Sequence, residues 1–193
     1  MKAYLSIFLI TILLLSCSPA GRFGAGVDIT FDPRTIGMQI DDTIMQKNLI
    51  ARLSLNEKRY FLSIQVEVLD GRIFLSGKVN EPEEKIKITK LAWETKGVRE
   101  VKNAITIKGQ SNFKQTAKDI LITSQLRTAL IINKKTKSRN YTLETINKKI
   151  YIFGIAMDID EKKEVLSEAE KIYDVEKVIP SIYLATELSR NKI

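Results

Sequence analysis

From residue 39 onward, apolar positions change spacing from helical to alternating and back, and the chain runs through this series twice in the same order. Met45, Leu49 and Leu53 recur at helical intervals, which predicts a helix with one buried stripe. Asp41 and Asp42 stand just ahead of it and read as acids that complement the N-terminal end of its dipole. Alternation follows at Ile64, Val66 and Val68, then Asp70-Gly71, then Ile73, Leu75, Gly77 and Val79. That is a hairpin, because Asp-Gly accepts the positive φ of a tight turn. Pro82 among Glu81, Glu83 and Glu84 opens a second helix through Ile88, Leu91 and Ala92, and Gly97 ends it. Val98, Val101, Ile105 and Ile107 supply a last strand.

An offset of 77 residues lays the second series on the first without a gap: Gly77 meets Gly154, Leu49 meets Leu126, Leu53 meets Leu130, Ile73 meets Ile150, and Ala92 meets Ala169. A repeat of that length is a domain duplication rather than a solenoid unit. The fold class is therefore α+β, two tandem α-β-β-α-β domains, each a three-stranded sheet with two helices on one face. The expected boundaries are a first domain over 39–112 and a second over 113–193, whose hairpin turns at Asn147-Lys148. The stretch before them, rich in Gly with Pro19 and Pro33, has neither period and reads as a flexible tether.

The extreme N-terminus has a different character. Lys2, an apolar run from Leu5 to Leu15, and a small residue before Cys17 form a secretory signal, too short to span a bilayer. Leu14-Leu15-Ser16-Cys17 resembles the lipobox of bacterial lipoproteins. That resemblance implies a signal peptide over 1–16, a lipidated Cys17, and a tether over 17–38. It also implies an outer-membrane destination, since Ser18 rather than Asp follows the cysteine. Cys17 is the only cysteine, so no disulfide can staple the rest, and stability must come from packed cores.

Composition narrows the partners. Net charge is +8, or +7 once Lys2 leaves with the signal (30 Lys and Arg against 23 Asp and Glu). Such a basic balance inside a cell would suggest nucleic acid; export removes that partner and leaves anionic phospholipid or acidic envelope surfaces. The chain has no histidine, which takes away the commonest general base, the triads and most transition-metal sites. The acidic pairs Asp41-Asp42, Glu83-Glu84 and Asp158 with Asp160-Glu161 sit at helix starts, where capping accounts for them. No catalytic residue, metal ligand or cofactor site is expected.

With the element order in hand, Leu75-Ser76-Gly77-Lys78-Val79, Ala92 and Gly97-Val98-Arg99-Glu100-Val101-Lys102-Asn103 resemble the BON domain. The second copy keeps Ile152-Phe153-Gly154, Ala169 and Val175-Glu176-Lys177-Val178. It has Asp174 and Pro180 where Gly and Asn are usual, which predicts a last strand that starts or bends differently. Arg34 to Asp42 looks like the lead-in of dual-BON outer-membrane lipoproteins. The resemblance implies a protein on the periplasmic face of the outer membrane that binds anionic phospholipid and supports envelope integrity and, in some members, division.

Comparing the copies isolates positions the fold does not need. Ile120 and Ile131 stand where the first copy has Thr43 and Ser54, with Leu121 opposite Ile44. Ile120, Ser124, Arg127 and Ile131 share one helical face beside the core stripe, and the cations Lys134, Lys135, Lys137 and Arg139 follow it. An apolar face edged by cations suits interfacial membrane docking; the other account is that these isoleucines pack against the first domain. Ile86 and Trp93, whose second-copy counterparts are Lys163 and Glu170, predict another contact, with the second domain in the first place or with an envelope protein partner.

Overall fold

The computed structural model describes residues 32–109 and 113–189. The signal peptide, Cys17 and most of the tether lie outside the described residues. In the first domain α1 runs Ile36–Asn56, a single turn α2 spans Tyr60–Ser63, and β1 (Ile64–Leu69) and β2 (Arg72–Val79) form the hairpin. Helix α3 (Pro82–Trp93) and strand β3 (Glu100–Ile107) complete it. The second domain follows with α4 (Phe113–Ile132), β4 (Tyr141–Ile146), β5 (Lys149–Ala156), α5 (Ile159–Glu170) and β6 (Lys177–Leu184).

Each sheet has one antiparallel and one parallel pairing, in the orders β1-β2-β3 and β4-β5-β6. The apolar periods are obeyed. Met45, Leu49 and Leu53 of α1, Ile88 and Ala92 of α3, and the inward residues of the strands form one core. Ile122, Leu126, Leu130, Val165 and Ala169 do the same in the second domain. Both hairpin turns have positive φ at their two central residues, 52° and 72° at Asp70-Gly71 and 49° and 61° at Asn147-Lys148. Gly77 and Gly154 are required by close approach: a Cβ on them would lie 2.1 Å from the Ser63 carbonyl oxygen and 2.3 Å from that of Asn140.

Three expectations are corrected. Helix α1 begins at Ile36, with Thr35 as its N-cap, so the tether stops short of residue 38, and Met38 is buried. Asp41 and Asp42 consequently fall in the second turn, too far in to cap the helix or complement its dipole there. The carboxylate of Asp42 instead accepts the turn amides of Asp70 and Gly71, at 2.7 and 2.9 Å, and pairs with Arg34. Strand β6 does not start or bend differently: its register on β5 repeats that of β3 on β2, offset by 77, through Pro180. An edge strand tolerates proline because its outer side has no ladder to join, and Asp174 takes the positive φ (65°) that Gly97 has in the first copy.

The helices cover one face of each sheet, and the remaining faces pack on each other. Phe74 stacks on Phe153 at 5.4 Å between ring centroids, and Tyr183 meets Phe153 edge-on. Ala104 completes this inter-sheet cluster. A four-layer α/β/β/α sandwich results, with α1 and α3 on one outer surface and α4 and α5 on the opposite one. At one end Met38, Ile155 and Leu188 close a small core. Next to it the backbone N–H and hydroxyl of Ser189 donate to Asp70, which also receives Arg72 and Arg99.

Candidate functional site

Helix α4 presents an outward face whose one exposed charge is Lys114, near the start of the helix. Phe113, Ala117, Ile120, Leu121, Ser124, Gln125, Thr128, Ile131 and Ile132 are all exposed along it. Its core stripe, Ile122, Leu126 and Leu130, is consumed by the sheet, so nothing within the domain covers the opposite side. Ile120 and Leu121 are each 61% exposed and Ile131 64%. These side chains are outside the inter-sheet contact, and packing against the first domain is not their role. Ile120 does lie at the edge of a groove that Lys78 and Thr106 of the first domain help to line.

The basic segment after α4 is held in shape by backbone-directed bonds. The Thr136 hydroxyl, buried, donates to the Leu130 carbonyl at 2.6 Å, the Lys135 amide donates to the Asn133 side chain, and the Lys137 amide donates to Glu161 at 2.7 Å. Lys134 and Lys135 remain exposed beyond the end of α4 beside Ile131 and Ile132, with Lys135 3.9 Å from Glu164. Lys137 is half-buried, and Arg139 is exposed on the following turn.

Arg127 has another duty than the one expected of it. Its guanidinium donates to the carbonyls of Ser138 and Tyr141, at 3.1 and 2.9 Å, and burial pulls its pKa down from the usual arginine value. It is a strut between α4 and the basic segment. The structure therefore brings Ile131, Lys134 and Lys135 together, places Ile120 and Leu121 about 16 Å away along the same helix face, and turns Arg127 inward.

Sequence reasoning missed Phe113 and Ile132 at the two ends of this face, and a matching stripe on α1, where Ile36, Ile40, Ile44 and Leu55 are exposed. The signal was available, since the offset of 77 lays Ile36, Ile44 and Leu55 on Phe113, Leu121 and Ile132. Phe61 and Leu62 are exposed where the second copy has Ser138 and Arg139. Ile86 and Trp93, 70% and 51% exposed, do not pack on the second domain. The reason is topological: α3 lies on the helical face of its sheet, and the domains meet through the other face.

The acids near helix starts are capping groups. The Glu84 carboxylate accepts the amides of Asn80 and Glu81, Asp158 accepts that of Glu161, and Glu161 accepts those of Met157 and Lys137. Among the described residues no cluster of acids or other ligands could hold a metal ion, and no helix is long and apolar enough to cross a membrane.

The duplicated α-β-β-α-β architecture defines a class, and comparison with known proteins names it. The BON domain family model matches residues 41–109. An uncharacterized protein in the gshII 5′ region of Anaplasma centrale is 32% identical over 125 residues, 64% of this chain and 83% of its own. The outer membrane lipoprotein DolP of Haemophilus influenzae is 29% identical over 175 residues, 88% and 89% of the two chains. The 21 kDa hemolysin of Actinobacillus pleuropneumoniae is 25% identical over 151 residues, 77% and 78%. The chain belongs to the BON-domain family and is a DolP-like outer-membrane lipoprotein of the periplasmic face.

Proposed function

We propose that the protein, anchored through lipid on Cys17, docks its second BON domain on anionic phospholipid and so serves envelope integrity, with no catalytic role. The single observation that carries this reading is the outer face of α4, apolar or polar and free of acids, with the exposed Lys114 at its start and the exposed Lys134 and Lys135 at its end. Insertion of Ile120, Leu121, Ile131 and Ile132 to the level of the headgroups removes apolar area from water. Each lysine held near an anionic surface adds about 1 kcal/mol. Lys137 and Arg139 widen the basic rim, and Arg127 keeps the segment that carries them in place.

Flotation of the unlipidated chain from residue 18 with vesicles tests the reading. With phosphatidylglycerol in phosphatidylcholine it should float at low salt and lose most binding as salt rises. With phosphatidylcholine alone it should stay down. Equal behaviour with both vesicles, or no flotation at all, sinks the proposal. Joint reversal of Lys134, Lys135 and Lys137 to Glu should weaken binding more than tenfold.

A second reading, a module that holds an envelope protein through Ile86 and Trp93, draws support from the exposure of both side chains. A Trp93→Ala change that left flotation intact but abolished a defined protein association would favour it.

A further inference from the structure

The first domain carries a groove of about 790 Å³ between α1 and the connection from α3 to β3. The repeat explains why it is open. Asp41, Gly71 and Gly97 line it, and the offset of 77 puts Lys118, Lys148 and Asp174 at the same places in the second domain. There both lysines reach Asp174, at 3.1 and 2.5 Å, and tie helix, turn and loop together. With glycine at two of the three positions, no side chain spans the gap in the first domain.

We propose that this groove receives an acidic amphipathic helix of a periplasmic protein. The inference rests on the lipid reading in one respect: when α4 lies on the membrane, the sandwich turns α1 to the opposite side, toward the periplasm. Its wall is the stripe Ile44, Ala51 and Leu55, seven and four residues apart, backed by Met45. Such spacing matches the apolar stripe of a partner helix laid alongside. An extended partner has less to gain, because three of the strand-edge carbonyls are already occupied. Those of Val66 and Val68 accept Gln46 and Arg34, and that of Ile105 accepts Lys85. A helix brings its own backbone bonds and needs none of these.

Charge selects an acidic helix. Asp42 is taken by Arg34 and two amides, Asp70 by Arg72 and Arg99, and Asp41 is also engaged. Arg52 lines the groove with its guanidinium on Glu94 and the Leu91 carbonyl. Lys96 lines it exposed, with no ion pair among the described residues. A carboxylate on the incoming helix finds Lys96 waiting.

The test uses the full lipidated chain in phosphatidylcholine nanodiscs and a fluorescein-labelled 15-residue peptide with Leu at positions 1, 5, 8 and 12 and Glu and Ala elsewhere. Fluorescence anisotropy should show saturable binding, weakened at least tenfold by Lys96→Glu or Leu55→Glu, and at least tenfold weaker when lysines replace the glutamates of the peptide. The pair Ile120→Ser with Ile131→Ser should lose vesicle affinity yet bind the peptide unchanged, which separates failure of the lipid reading from failure of this one. Benzoylphenylalanine at position 51, illuminated in the native envelope, should give a protein adduct that Lys96→Glu abolishes. Absence of saturable binding, indifference to peptide charge, or a phospholipid adduct at position 51 would overturn the proposal.

Discussion

Asp42 and Asp119 occupy the same place in the two domains, each a buried carboxylate that accepts both central amides of a hairpin turn. In the second domain the partners are Asn147 and Lys148 at 2.8 and 2.9 Å. Both turns have φ above zero at non-glycine residues, so the carboxylate secures a conformation that the chain would otherwise leave. Asp42→Ala should cost about 3 kcal/mol, since it strands two buried amides and the Arg34 guanidinium, and urea unfolding would show it as a lower midpoint. Asp119→Ala should cost less, because the third partner of its carboxylate is the neutral amide of Gln115 rather than an arginine. Gly154→Ala is expected to destabilise by a comparable amount for a different reason: its Cβ would collide with the Asn140 carbonyl and with the ring of buried Tyr141, neither of which has room to yield.

At the scale of the element, α4 is two surfaces on one helix, and its outer face can be altered without touching the core. Replacing Ile120 and Ile131 by Ser should leave thermal unfolding within about 0.5 kcal/mol of the parent while flotation with anionic vesicles falls severalfold. Unfolding of that variant would mean the two residues are core. Arg127→Ala should act through the loop: loss of its bonds to Ser138 and Tyr141 loosens the basic segment, so proteolysis between 133 and 140 speeds up even in the absence of lipid. Periodicity made the helices, the hairpins and both core stripes legible in advance, because each depends on neighbours a few residues apart. The caps at Glu84, Asp158 and Glu161 were legible for the same reason; Asp42 was not, and the sequence left open whether Ile120, Leu121 and Ile131 face solvent or the first domain. The inward turn of Arg127 was not, since it depends on carbonyls of Ser138 and Tyr141 that only tertiary folding brings near. The first-domain stripe from Ile36 to Leu55 was legible through the same offset of 77, but a comparison aimed at differences between the copies passes over a face that both share.

Across the whole molecule, the sheet faces away from the helices decide the architecture, and no period announces them. Phe74 and Phe153 alternate with core residues and look, residue by residue, like ordinary outward positions; their meeting turns two domains into one sandwich. Phe153→Ala should cost about 3–5 kcal/mol and split thermal unfolding into two transitions read by calorimetry. Burial at this interface pushes the carboxyls of Glu67 and Glu144 upward, whereas at Asp70 burial is outweighed by the bonds from Ser189 and by Arg99 and Arg72, which hold its carboxyl below the usual range. The Asp70 contribution is therefore fully present above the usual carboxylate value of about 4 and is lost as pH falls through and below it. The stability gap between parent and Asp70→Asn should accordingly narrow from pH 6 to pH 3, a trend that thermal melts across that range would reveal.

The contact between Ser189 and Asp70 also sets an order of events. Asp70 belongs to the first hairpin, and its closing partner lies beyond the last strand of the second domain, 119 residues further along. A polypeptide that emerges N-terminus first can fold its leading half early, but it cannot lock the two halves until its trailing end has crossed. Export that stalls before Leu188 leaves a protein with two formed domains and an unsealed seam, which is the state a quality-control protease would find easiest to recognise.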